Sequence, residues 1–204
     1  MIDATKKEVL LFIRLVVGYG TFYFLNNALT EALYVVPGAH IVHLPSGLKI
    51  FMVMIAGMTG ALAIAVVGFL WAVLYMFKEN YLLTTMLSIV SGMVPWLTVF
   101  ILSKKFQLNR DLSNLDWKKL LVIVITFALL NSICLQFIVY RFGESTSLMN
   151  GIWVMLVGDV TGIFIVIYSL RFLMKVLEAV SPRFTDKSKK LTKYAKEPKT
   201  IQTS

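Results

Sequence analysis

At 204 residues, 58% of them hydrophobic and only 15% charged, the chain is too apolar for a soluble domain, where apolar residues make up about 45–50% and charged ones about 25%. The formal net charge of +9 would suit nucleic acid, but the basic residues sit between long apolar runs, and the basic end of the chain offers only Phe184 and Tyr194 for stacking, which argues against that partner. The runs are too long and continuous for membrane barrel strands, and a single cysteine, Cys134, rules out an intrachain disulfide or a thiolate metal cluster.

The first apolar segment, Val9–Val36, follows Lys6, Lys7 and Arg14. Its Tyr19, Tyr23, Asn26 and Asn27, with no small-residue cleavage site, identify a retained helix instead of a signal peptide. Asn26 falls near mid-depth and Glu31 near the outer end; amides at such depth bond across helices or line a cavity. Pro37, Gly38, Pro45 and Gly47 then break the helix, and His40 and His43, the only histidines, lie in this break. Two histidines three residues apart supply too few ligands for a divalent metal, and no metal or other cofactor is expected. Lys49 follows, at what reads as the outer end of the next helix.

Residues 46–77 would be about 48 Å long as one helix, too long for a single crossing. Gly57 and Gly60 bracket a plausible turn, and the second piece carries Ala61, Ala65, Gly68 and Ala72 as a smooth stripe for close helix packing. Three further spans are expected: Tyr81–Ser103, kinked by Gly92 and Pro95; Leu120–Tyr140, bearing Asn131, Ser132 and Gln136; and Asn150–Phe172, with Trp153 and, near its middle, Asp159. Of the 20 Lys and Arg residues, all but Lys49, Lys78 and Arg141 fall near the N-terminus, in the 104–119 loop, or from Arg171 onward. The positive-inside rule places all three regions in the cytoplasm and demands an even number of crossings between them. Splitting 46–77 into a short helix ending at Gly57 and a full span from about Gly60 to Phe77, each counted as a crossing, satisfies that demand. The expected architecture is six transmembrane helices with both termini cytoplasmic, residues 1–175 forming the membrane domain and 176–204 a basic tail against anionic lipid.

Asp159 is the residue that most needs an explanation, since a carboxylate at the bilayer centre costs about 2.5–3.5 kcal/mol on insertion scales and is turned inward and partnered. It serves either as a ligand, proton or ion site or as a structural tie to hydroxyls and amides of neighbouring helices. Its depth, with Asn26 and Asn131, reads as midplane, while Glu31, His40, His43 and Lys49 read as an outer tier.

Two stretches carry resemblances. HLPSGLKIFMVMIAGMTGALAIAVVG and the later GDVTGIFIV, with Gly158, Asp159 and Gly162, resemble the proline-glycine motif, short helix, glycine turn and Gly-Asp-x-x-Gly element of bacterial membrane-associated sensor domains of the first type. The 37–77 region is also similar to the substrate-binding components of energy-coupling-factor transporters. Either resemblance implies a bacterial cytoplasmic membrane protein that binds a small molecule and works with other subunits. The first departs from pattern at Leu44, where an aromatic is favoured; the second lacks an alanine-spaced stripe on the first helix.

These readings converge on a membrane-embedded small-molecule-binding module, sensory or transporter-type, without an output or ATPase domain of its own. Its candidate ligand-binding residues are Asp159, Asn131, Asn26, Glu31, His40, His43, Lys49 and Trp153. The alternative is a structural or accessory subunit of a larger membrane complex. No catalytic role is expected, because no His-Asp-Ser, paired-carboxylate or metal-ligand spacing is evident.

Overall fold

The computed structural model describes residues 2–30, 34–36, 39–40, 42–109 and 112–180. Five long helices carry the chain: α1 (Ile2–Thr30), α2 (Pro45–Trp71, prolonged by one π-helical turn, Ala72–Met76), α3 (Tyr81–Lys105), α4 (Trp117–Arg141) and α5 (Leu148–Val180). Each contains a window long and apolar enough to cross a bilayer, so this is a multi-pass helical membrane protein. The chain divides into two compact units, residues 1–166 and 167–204. The site described below lies wholly in the first.

Helix ends follow local chemistry. Pro45 opens α2, where a missing N–H is harmless. Asn80 caps α3 by accepting from the Leu83 amide, and Asp116 caps α4 by accepting from the Lys119 amide. Gly143 turns the chain with a φ of 75° between α4 and α5. Between α1 and α2 the expected continuation of the first span to Val36 is replaced by a small antiparallel pair, β1 (Tyr34–Val36) and β2 (Ala39–His40).

The expected six transmembrane helices are corrected: among the described residues five helices are long and apolar enough to cross a membrane. The break at Gly57 is present, with φ 54° and ψ −127°, a backbone state that is essentially reserved to glycine. The chain doubles back there: a Cβ on Gly60 would lie 2.5 Å from the Met52 carbonyl oxygen, whereas eight residues of straight helix span about 12 Å. The arm before the turn, residues 45–56, is only about 18 Å long at 1.5 Å per residue, short of the roughly 30 Å hydrocarbon core. It is the expected short helix, folded against its successor, and the correction is that it does not cross the membrane by itself. The small-residue stripe serves packing in its first part, since Gly92 of α3 seats against the Ala61 carbonyl and the Ala65 side chain. Pro95 lies inside a continuous α3.

A Cβ on Gly57 would meet no atom within 4 Å. Gly57→Ala therefore adds backbone strain without a clash, and it is expected to lower stability by about 1–3 kcal/mol, read as a drop in melting temperature of the purified protein. An unchanged melting temperature would mean that the turn is not held as described.

Candidate functional site

Asp159, on the buried face of α5, has 0% exposure and three donors. The Asn131 amide of α4 donates to Oδ2 at 2.6 Å, and the Ser46 hydroxyl of α2 donates to Oδ1 at 2.5 Å. His43 Nδ1 approaches the same Oδ1 at 3.1 Å and the Ser46 oxygen at 2.9 Å. With the carboxylate ionised and the serine proton given to it, Nδ1 carries the hydrogen shared between the two oxygens. One side chain thus ties α2, α4, α5 and the loop preceding α2.

That loop is non-helical backbone inside the bundle, which is tolerated only where protein groups satisfy it. The His43 amide donates to the Gly158 carbonyl of α5 at 3.0 Å, and the Leu44 amide donates to Asn26 Oδ1 of α1 at 3.1 Å. Gly162 makes the approach possible: a Cβ there would fall on the His43 carbonyl. Asn26 is therefore a brace for the loop, at 3% exposure.

A cavity of about 70 Å³ adjoins this cluster. Its polar wall comprises Tyr23, His43, Lys49, Ser88, Ser91 and Gln136. The rest of the lining is mostly apolar, with Trp71, Phe77, Leu87 and Met155 among its members. Tyr23 packs edge-on to His43 and against Trp71, with ring centroids 5.9 and 5.1 Å apart. These contacts place the two ends of the α2 hairpin side by side. Lys49 is 3% exposed and donates to the Ser91 hydroxyl at 2.9 Å. The Gln136 amide donates only to the Met155 sulfur, at 3.7 Å, and its oxygen has no partner among the described residues.

Of the residues singled out from the sequence, Asp159, Asn131, Asn26, His43 and Lys49 come together. The two expected tiers do not hold for His43, which contacts Asp159 directly because the loop before α2 dips into the bundle. Trp153 is 60% exposed and does not line the cavity, although Met155 does. Two residues turn a helix by about 200°, so the neighbour of an inward residue at that spacing faces outward. Asn150 is likewise exposed. Glu31 lies outside the described residues, and His40 is described only as backbone in β2.

Sequence reasoning missed Ser46, Ser88 and Ser91. Ser46 carried a usable signal, being three residues before Lys49 and hence on the same helix face. Ser46, His43 and Asp159 form a Ser-His-Asp group that spacing did not reveal. Its geometry is not that of a nucleophilic triad, which uses opposite ring nitrogens for serine and carboxylate. Here both oxygens meet Nδ1, and the serine donates to the aspartate itself. Among the described residues no three His, Cys, Asp or Glu side chains are grouped to hold a metal.

Fold and site together define a helical membrane protein with a buried, carboxylate-centred polar cluster beside a half-open pocket. No family model matches the chain, nor does any curated protein or solved structure.

Proposed function

We propose that this protein is a membrane-embedded small-molecule-binding module, sensory or transporter-type, that works with partner subunits supplying output or energy. The cavity beside His43 and Lys49 is the observation that carries this reading. The pocket is half open and has about 70 Å³ on the scale where one water needs about 10–15 Å³, so it has room for a small molecule. Its wall is mostly apolar with a few converging polar groups, the composition of ligand sites in general. A structural tie alone would need the Asp159 cluster but not the space. The alternative, an accessory subunit, draws on the close packing of Gly92 against Ala61 and on the full set of donors around Asp159.

We place it in the bacterial cytoplasmic membrane with both termini inside. The three basic regions support that orientation. The α2 hairpin is consistent with it: His43 and Trp71 both pack on Tyr23, so α2 ends on the side where it begins, and the net crossings are the four of α1, α3, α4 and α5.

Gly68 allows a direct test. It lines the cavity, and a Cβ there would meet nothing within 4 Å. Gly68→Leu should fold, gaining up to about 1 kcal/mol in helix propensity, while filling the cavity. In a screen of small metabolites by thermal shift in detergent, a compound at 100 times its dissociation constant stabilises the wild type by about 2.7 kcal/mol. The expected result is a shift in wild type that is absent in Gly68→Leu. Equal shifts in both proteins, or none in either, would overturn the reading.

A further inference from the structure

We infer that the cavity takes a short amphipathic molecule bearing a single negative charge, seated with its anionic group on Lys49 Nζ; this rests on the binding-site reading above. Lys49 carries a buried amine whose hydrogen-bond partner among the described residues is one neutral hydroxyl, Ser91 Oγ at 2.9 Å. An ammonium has three donors, and an ion removed from water is expensive unless paired. Among the described residues no carboxylate lies within 4 Å of it, the single such contact being His43 with Asp159.

The nearby carboxylate is already committed. Both oxygens of Asp159 are occupied, Oδ1 by Ser46 and His43 and Oδ2 by Asn131. The site thus holds a carboxyl group with its own donors and an amine with room beside it. That asymmetry selects an anion over a cation.

Charge count and shape narrow the class. One lysine and hydroxyls match a monoanion. A dianionic phosphate would keep an uncompensated charge, and no arginine fork lines the cavity to grip it. Trp71, Met76, Phe77, Leu87, Leu135 and Met155 supply the apolar wall for a short hydrocarbon. Gln136 also lines the pocket, with its amide oxygen turned against Gly151 of α5. The ligand is a carboxylate on a small apolar body.

The test uses three matched probes, hexanoate, hexanamide and hexylammonium, titrated calorimetrically into the purified full chain in detergent. Wild type, Lys49→Met, Lys49→Arg and Gly68→Leu are compared. Hexanoate should bind wild type at least tenfold tighter than hexanamide, and hexylammonium weakest. Lys49→Met should abolish the preference by weakening hexanoate alone, Lys49→Arg should retain part of it, and Gly68→Leu should block every probe. If hexanamide or hexylammonium binds as well as hexanoate and Gly68→Leu blocks them, the cavity stands and the anion inference falls. Binding of none of the three removes both. A preference for hexanoate that survives Lys49→Met also overturns the inference.

Discussion

Asp159→Ala is expected to destabilise the folded protein by about 3 kcal/mol or more, because three buried polar groups lose their acceptor together. The carboxylate is fully buried and accepts from Asn131, Ser46 and His43. Its loss strands polar groups from α2, α4 and the loop before α2, each costing about 1–3 kcal/mol if left unsatisfied. Asp159→Asn keeps the volume and part of the bonding, and it should cost less, about 1–3 kcal/mol. Unfolding in mixed detergent, followed by circular dichroism, measures both. A loss below 1 kcal/mol for the alanine variant would show that the cluster does not tie the helices.

Gly162→Ala is the second large effect. The new Cβ would sit on the His43 carbonyl and 2.9 Å from the Leu44 amide nitrogen. These are backbone atoms, so no rotamer change relieves the overlap. The loop cannot simply retreat, because the His43 amide is bonded to Gly158 and the Leu44 amide to Asn26. Overpacking costs about 1–3 kcal/mol where side chains can adjust, and a backbone obstruction belongs at or beyond the upper end. The matched control is Gly18→Ala in α1, where a Cβ meets nothing within 4 Å and the helix should gain about 0.5–1 kcal/mol. Melting temperatures of the two variants should move in opposite directions. Similar behaviour would contradict the close approach of loop and helix.

The two substitutions locate what was legible in the sequence. An isolated Asp in an apolar run predicts a partnered, inward carboxylate by cost alone, and Asn131 and Asn26 follow from the same argument. Gly57 was readable as a turn because length and charge parity both demanded one. The short helix before it was readable too, but not that it fails to cross, since composition gives the same apolar signal to half a helix folded on itself as to a full crossing. Nor was the meeting of His43 with Asp159, 116 positions apart. Proline and glycine around His43 signal a break in the helix, but not that the break sinks between α1 and α5. That depth depends on backbone donors finding Gly158 and Asn26 and on the missing side chain at Gly162. Trp153 was drawn in by residue type, and helical phase turns it outward.

The cavity as a ligand site is the claim on which the functional reading depends, and calorimetric titration of wild type beside Gly68→Leu tests it most directly. The prediction is saturable 1:1 binding of hexanoate to the wild type, with the negative heat-capacity change of apolar burial, and a flat titration for a Gly68→Leu protein that still melts cooperatively. Equal binding to both would place the ligand elsewhere and contradict the reading. So would a flat titration for both.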